Sequence, residues 1–208
     1  MKIQILTLIS VMFLTGPLGV GFAQLSEQDQ SSITLVINEL MASNNNFCQD
    51  SQNEYDDWFE IYNFGLDSID IGGMFLTDNM TVPTKWQIPA STVIPAGGYL
   101  LIWADDDTDD DGLHANFKLD ADGEEISLFD SDGVTLIDSI IFPEQTTDIS
   151  FGRYPDANEN LIFFSTPTPG EENKDAYIDE MEAPEFSHER GFYEESFMVT
   201  IATETENA

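Results

Sequence analysis

The sequence predicts an all-β protein whose strands form two antiparallel sheets packed face to face. Short runs rich in β-branched and aromatic residues alternate with clusters of Gly, Pro, Asn and Asp, and no long stretch has the 3.6-residue apolar period of a helix. The turn dipeptides Asp122-Gly123 and Asp132-Gly133 are ten residues apart. That spacing is typical of turns between antiparallel strands in a sandwich or barrel.

Nine runs are predicted to be the strands of this domain, and residues 95–98, with the sequence Pro-Ala-Gly-Gly, supply a further turn. The predicted strands are residues 33–40, 57–65, 68–78, 85–89, 98–105, 124–130, 134–142, 149–155 and 160–165.

The run 134–142 is the clearest case of two-residue alternation. One face carries Val134, Leu136, Ile140 and Phe142 together with Asp138, and the other face is mixed. This pattern predicts a strand with one face toward the core.

The first residues have the order of a secretory signal peptide. Lys2 provides a positive charge, residues 3–14 form an apolar run too short to span a bilayer comfortably, and residues 21–23 resemble a cleavage site. A membrane anchor is the alternative, but no basic flank follows the apolar run. We therefore expect residues 1–23 to be removed, residues 24–32 to form a linker, and the protein to be secreted or held at the cell surface.

The charge balance excludes several classes of partner. The chain has 40 acidic and 6 basic residues, for a net charge of −34. Such a surface repels nucleic acid and anionic membranes, so we expect no nucleic-acid binding and no membrane insertion after signal cleavage. One cysteine, Cys48, cannot provide a disulfide framework and is either free or paired with another chain.

The composition changes after residue 173. Residues 174–183 are acidic, lack a strand pattern and are predicted to be a linker. In residues 184–208 a β pattern resumes, with Phe197, Val199 and Ile201 alternating, and then the chain ends with no evident partner strand. Because one strand cannot bury its face alone, we expect this part to be the truncated start of a second module of a longer protein.

Five segments, in order and without large gaps, together resemble the lamin-tail domain in its bacterial, secreted form. This resemblance covers roughly residues 33–173 and implies an immunoglobulin-like β-sandwich with no catalytic residues. The segments are "VINELMASN" (36–44), "DWFEIYNFGLDSIDIGGMFLTDN" (57–79), "KWQIPASTVIPAGGYLLIWAD" (85–105), "LHANFKLDADGEEISLFDSDGVTLIDSIIF" (113–142) and "SFGRYPDANENLIFFSTPTPGEEN" (150–173).

The stretch "APEFSHERGFYEESFMVTI" (183–201) is similar to the opening of the β-sandwich module related to the C-terminal domain of chitobiase and β-hexosaminidase. The tyrosine-rich strand and Asp-Gly turn that usually follow are missing here. In bacteria this pair of modules often precedes a CotH-kinase-type domain in large surface proteins, so the resemblance implies such a context.

An aspartate-rich loop is the strongest candidate for a metal site. The run from Asp107 to Gly112 matches the first half of a calcium loop, in which alternate carboxylates converge on one cation. Lys118 stands where an EF-hand has its bidentate glutamate, so this is not an EF-hand. The alternatives are a solvated loop that maintains solubility, or a weak calcium site whose ligands are Asp105, Asp107, Asp109 and Asp111.

Other site chemistries have little support in the sequence. A catalytic zinc site requires about three protein ligands, and His114 is the one histidine in the predicted domain, so we interpret it as a strand-edge residue. The sequence has no G-x-S-x-G nucleophile motif and no phosphate-binding glycine loop.

Glu60 alternates with Trp58 and Tyr62 on one face of a predicted strand. A carboxylate so placed is half-buried and needs a partner, which we expect to be Arg153 or backbone amides. The aromatic residues could be core residues or a sugar-stacking platform, and core packing is the favoured interpretation for Trp58, Tyr62, Trp86, Tyr99 and Trp103.

These observations predict a non-catalytic extracellular module that contacts other domains of the same larger protein, an extracellular protein or a glycan. The alternative is an N-terminal accessory region of a CotH-kinase-type or hydrolytic enzyme whose catalytic domain lies outside this chain. Calcium is the one cofactor that the sequence suggests.

Overall fold

The computed structural model describes residues 33–174, 176–177, 185–187 and 198–202. These residues contain no α-helix, and accordingly none that is long and apolar enough to cross a membrane. They form fifteen strands: β1 (Leu35–Met41), β2 (Trp58–Asn63), β3 (Ile69–Asp70), β4 (Phe75–Thr77), β5 (Trp86–Gln87), β6 (Val93–Ile94), β7 (Tyr99–Ala104), β8 (His114–Ala115), β9 (Glu124–Phe129), β10 (Leu136–Phe142), β11 (Ser150–Arg153), β12 (Leu161–Phe164), β13 (Ala176–Tyr177), β14 (Glu185–Phe186) and β15 (Ile201–Ala202).

Two principal sheets make up the sandwich. The larger has seven strands in the order β13-β12-β11-β1-β2-β7-β8, and the smaller has four in the order β10-β9-β4-β5. All pairings are antiparallel except that between β7 and β8. The predicted all-β sandwich is therefore confirmed.

The core is one apolar cluster between the two sheets. Ile37, Phe59 and Ile102 enter it from the seven-stranded sheet, and Leu76 and Ile126 from the four-stranded sheet. Because side chains of a strand alternate between faces, each sheet contributes every second residue to this cluster.

A β-bulge in β1 changes which residues face the core. The register with β2 shifts between Ile37 and Glu39. Leu35 and Ile37 lie in the core cluster before the shift, and Leu40 lies in it after the shift. The extra residue turns Glu39 to the outer face of the sheet, where it stands opposite Glu60 of β2.

Strand β10 departs from the predicted alternation for the same physical reason. Ile140 and Phe142 are buried as the pattern indicated, but Val134 and Leu136 are 78% and 44% exposed. The register with β9 shifts between Leu136 and Asp138. The prediction that Val134 and Leu136 share the buried face of Ile140 is therefore wrong, because the shift breaks the two-residue period.

Glycines lie in the turns that the sequence predicted. Gly123 and Gly133 follow their aspartates with φ of 106° and 68°, which a residue with a side chain rarely adopts. The predicted strand 68–78 is divided into β3 and β4 around Gly72, where an added Cβ would lie 2.6 Å from the Ser91 backbone nitrogen. The turn at 95–98 is closed by a hydrogen bond from the Gly98 amide to the Pro95 carbonyl (3.0 Å).

The C-terminal part corrects one expectation. The strand around Ile201, for which no partner was evident, pairs with Glu185–Phe186 in a two-stranded sheet. Strand β13, within the predicted linker 174–183, pairs with β12. The predicted signal peptide and first linker, residues 1–32, lie outside the described residues.

Candidate functional site

The aspartate-rich loop connects two strands that run side by side in the same direction. Strand β7 ends at Ala104, and β8 begins at His114, which stands opposite Trp103 in a parallel register. Asp106, with φ of 63°, and Gly112, with φ of 138°, provide the left-handed bends in this connection. The loop therefore returns the chain to the edge of the seven-stranded sheet, and the prediction of His114 as a strand-edge residue is confirmed.

His114 is held in one orientation. It is 3% exposed, its ring stacks on Trp103 with centroids 6.4 Å apart, and its Nδ1 lies 2.6 Å from Oδ2 of Asp105. Burial opposes a positive ring, but the hydrogen bond and charge of Asp105 raise the net pKa of His114 above its ordinary value. The second ring nitrogen, Nε2, is buried without a hydrogen-bond partner.

A second loop, residues 50–54, is fixed against the first. Asp50 Oδ1 accepts hydrogen bonds from the Gln52 and Glu54 amides (3.0 and 2.7 Å). Ser51 Oγ donates to the Asp111 carbonyl (2.8 Å) and joins the two loops. These contacts place Asp50, 64 positions before His114 in the sequence, beside the imidazole.

The two loops together form a group suited to a metal ion. One ligand atom each from Asp50, Asp110 and His114 lie within 4.8 Å of one another. We refer to these three residues, with Asp105 behind the imidazole, as the His114 cluster. Within the described residues it is the one such group of three or more acidic, histidine or cysteine side chains.

The predicted calcium ligands are arranged differently. Asp105 is buried, and its two oxygens accept from the Asp107 amide (3.0 Å) and contact His114. Asp107 Oδ1 accepts from the Asp109 amide (3.3 Å), and the side chains of Asp107, Asp109 and Asp111 are exposed. The structure does not bring these four aspartates into one group, and calcium binding by them stays a prediction.

A polar cleft of about 370 Å³ lies beside the His114 cluster, lined in part by Asp56, Asp57, Asp105 and Lys118. Burial raises the pKa of Asp57 to about 6, although Asp57 accepts a hydrogen bond from the Asn44 amide (3.0 Å). Burial and the nearby charges of Asp105, Asp50 and Glu54 raise the pKa of Asp56. Oδ2 of Asp56 is buried and has no hydrogen-bond partner.

A second acidic site lies on the outer face of the seven-stranded sheet. Glu39 and Glu60 are both fully buried there, opposite each other across β1 and β2. Residues 165–173, here called the strap, cover them. The Gly170 amide donates to Glu60 (2.8 Å), and the Thr168 amide and hydroxyl donate to Glu39 (3.0–3.2 Å).

Further partners complete this site. Asn38 donates to Glu60 (3.1 Å) and to Asp156 (3.2 Å), and Ser150 donates to Glu39. Burial raises the pKa of Glu60 to about 8 and also raises the pKa of Glu39, despite these hydrogen bonds. The covered network consists of Asn38, Glu39, Glu60 and Asp156 with the strap residues that they bind.

The expectation of a hydrogen-bond partner for Glu60 is therefore confirmed, whereas the expectation that Glu60 is half-buried is wrong, because the strap covers its carboxylate completely. Of the two expected alternatives, the backbone amide of Gly170 binds Glu60, together with the Asn38 side chain, and Arg153 does not. Arg153 donates instead to both oxygens of Asp138 (2.9 and 3.0 Å) and to the Ile37 carbonyl (2.8 Å). Because Asp138 belongs to the four-stranded sheet, the Arg153 side chain joins the two sheets, whereas Glu60 lies on the opposite face.

The aromatic candidates are divided between the core and a partly buried pair. Trp86 lies in the core cluster, which confirms core packing for it, whereas Trp58 is fully buried outside that cluster, on the face of β2 that carries Glu60. Tyr62 and Tyr99 are stacked, with centroids 4.5 Å apart, and the Tyr99 hydroxyl donates to Asp156. Cys48 is a free thiol, and partial burial raises its pKa to about 11.

Sequence reasoning missed the placement of Asp50 and Asp110 beside His114. Aspartate is so frequent in this chain that neither position stood out, and no local motif links residue 50 to residue 114. Asp110 lies in the predicted calcium loop, but the alternating ligand positions of such a loop fall on its neighbours Asp109 and Asp111.

Comparison with known proteins supports the family resemblance of the sandwich. A family model described as Lamin Tail Domain matches residues 28–143, and the seven-stranded sheet continues beyond the match through β11 to β13. A search of curated proteins found no match. Because the family model covers more than half of the 208 residues, this chain belongs to the lamin tail domain family, whose fold is a non-catalytic immunoglobulin-like β-sandwich.

Proposed function

We propose that this chain is an extracellular, non-catalytic structural and binding module. The observation that carries the proposal is that the most deeply buried carboxylates, Glu39 and Glu60, serve as internal ties. Glu39 and Glu60 hold the strap, while Arg153 and Asp138 join the two sheets. A catalytic acid or base must instead reach a substrate.

The most suitable contact surface for a partner is the outer edge of β10. This strand ends the four-stranded sheet, and it exposes Leu136 (44%) and Ile141 (72%). A shallow depression beside Ile141 is rimmed by the acidic residues Asp122, Glu124 and Glu125. An edge strand with apolar side chains favours addition of a strand from another protein, and the acidic rim favours a basic one.

A matched pair of variants tests this surface. We expect an L136D/I141D protein to fold normally but to lose the partner that the wild-type protein captures, by chemical crosslinking, from the extracellular fraction of its source. The control is V93D, which changes an exposed valine of β6 outside this surface. Equal capture by all three proteins would exclude the β10 edge, and binding on a glycan array alone would indicate a glycan ligand.

The extracellular location rests on residues 1–23, whose pattern is that of a signal peptide. We expect the protein recovered from the culture medium to begin at Gln24, as measured by N-terminal sequencing. Recovery from the cytosol with residues 1–23 intact would contradict this proposal.

The resemblance of residues 183–201 to a chitobiase-related module supports placement beside other domains. Within a longer protein, the lamin tail domain would hold the neighbouring domains apart and present the β10 edge to them or to an extracellular protein. The accessory role next to a CotH-kinase-type or hydrolytic domain is the more specific version. The intact mass of the native protein, and the identity of any further domains, would distinguish the two.

A further inference from the structure

His114 has the geometry of a metal-binding imidazole. In metal sites the ring nitrogen away from the ion is usually held by a carboxylate, which fixes the tautomer and orients the other nitrogen. Asp105 holds Nδ1 of His114 at 2.6 Å, and this leaves Nε2 as the free nitrogen. Nε2 is buried without a hydrogen-bond partner, although an unsatisfied buried polar atom is costly.

Two carboxylates complete the arrangement. Oxygens of Asp50 and Asp110 and a ring nitrogen of His114 lie within 4.8 Å of one another. Ligand atoms about 2.0–2.2 Å from one tetrahedral ion are about 3.3–3.6 Å apart, so the three groups must close by about 1 Å to bind it. Asp50 is largely buried, and its other contacts are to amides of its own loop.

The surroundings of the cluster are mainly acidic. Asp56 has a buried oxygen with no hydrogen-bond partner, and it interacts electrostatically with Asp50, Asp105 and His114. Lys118, which forms an antiparallel bridge with Asp105, is the one cation among the residues that line the cleft. A divalent ion would neutralise the two ligating carboxylates and reduce the repulsion felt by Asp56.

We propose that the His114 cluster binds a divalent transition-metal ion of the zinc class, with His114 Nε2, Asp50 and Asp110 as ligands and Asp105 as the residue that positions the imidazole. Zinc accepts nitrogen and carboxylate ligands together, whereas calcium takes oxygen ligands. The site is therefore distinct in chemistry from the calcium site predicted on Asp105, Asp107, Asp109 and Asp111. It does not depend on the proposed binding function.

A proton is the competing occupant of the free nitrogen. The charge of Asp110 and the backbone of Asp111 also favour a protonated ring. A protonated His114 would form an ion pair with Asp105 and would have little affinity for a metal ion. The experiment must therefore distinguish a bound metal from a bound proton.

The test is a calorimetric titration of the metal-free full chain with zinc chloride at pH 7.5. We expect one zinc ion per chain, with affinity reduced about tenfold or more in H114Q and D110N. D105N should lose about 10–100-fold, since it removes the carboxylate that orients the imidazole. The matched control is D109N, which removes one charge from the same loop without removing a ligand, and its affinity should stay within about twofold.

A spectroscopic readout keeps the test valid if H114Q does not fold. The chain has two histidines, so H188Q leaves His114 as the one imidazole. We expect zinc to shift the ¹⁵N resonance of Nε2 in that variant while Nδ1 stays protonated, and millimolar calcium to leave the resonance unchanged. The proposal is overturned if zinc leaves the ring doubly protonated, if calcium competes equally with zinc, or if D110N and D109N behave alike.

Discussion

The covered network and the His114 cluster both bury carboxylates, but they differ in how these groups are satisfied. In the covered network, Glu39 and Glu60 receive hydrogen bonds from side chains and from amides of the strap. In and beside the His114 cluster, Nε2 of His114 and Oδ2 of Asp56 have no such partner. The first site is complete within the chain, whereas the second has room for an additional positive group.

This difference shows that buried carboxylates in an acidic protein can serve different purposes. Burying a charged or polar group costs free energy unless a partner compensates for it. Where the chain supplies the partners, the carboxylates fasten one segment to another. Where partners are missing, the same residue type indicates a ligand. Removing a group should therefore have opposite consequences at the two sites.

The largest effect is expected for Asn38→Ala in the covered network. Asn38 donates to Glu60 and Asp156 and accepts from the Ala157 amide (3.2 Å). Its loss removes one hydrogen bond from each of these three groups, and we expect the free energy of unfolding to fall by about 3 kcal/mol. Urea denaturation measures this change. The control Asn46→Ala affects an exposed side chain and should cost less than about 1 kcal/mol; a similar loss in both variants would contradict the distinction.

The pH dependence of stability should show the next largest effect. The folded-state pKa of Glu60, about 8, is above its ordinary value of 4.5, so the folded state binds the additional proton. The stability contributed by Glu60 is therefore fully present below about pH 4.5 and is lost as the pH rises to about 8. The raised pKa values of Glu39 and Asp57 act in the same direction.

We expect the free energy of unfolding to fall by on the order of 2 kcal/mol between pH 6 and pH 8 because of Glu60. Glu60→Gln cannot titrate, so its pH profile should be flatter over that range. Denaturant unfolding at a series of pH values gives both profiles. Parallel profiles would show that Glu60 does not titrate in this range.

The smallest effect is expected for Asp56→Asn beside the His114 cluster. Asp56 is repelled by Asp50 and Asp105, so its neutralisation should stabilise the metal-free protein by about 0.5 kcal/mol. Thermal unfolding in EDTA measures the change. The control is Asp67→Asn, which removes an exposed charge outside the cluster. Destabilisation by Asp56→Asn would mean that this carboxylate has a compensating partner after all.

The sequence was informative about the sandwich because the relevant signals are local. Alternating apolar residues and Asp-Gly turns lie next to one another in the chain, so strands such as β7 and β9 were predicted to within a residue or two. The bulges in β1 and β10 were not predicted, since a bulge depends on the partner strand rather than on local composition. As a result, the exposure of Leu136 was not foreseen.

The candidate site was less predictable because it combines distant segments. Asp105 and His114 were recognised individually, but Asp50 joins them through a contact between loops, and Gly170 reaches Glu60 across 110 positions. The amide partner of Glu60 could be predicted from the scarcity of cations in this chain. Which amide it would be depends on the path of the strap, and no local pattern specifies that path.

The strap also determines how the sandwich would respond to mechanical tension. Asn173 is tied to Asp156 and to the Arg153 carbonyl, and the contacts at Gly170 and Thr168 come earlier in the chain. A force applied beyond Tyr177 would therefore load the pairing of β13 with β12 first, and then the contacts of Asn173, Gly170 and Thr168 one after another. The C-terminal end of the domain would yield in small steps and absorb extension, while the inner strands of the seven-stranded sheet remained folded.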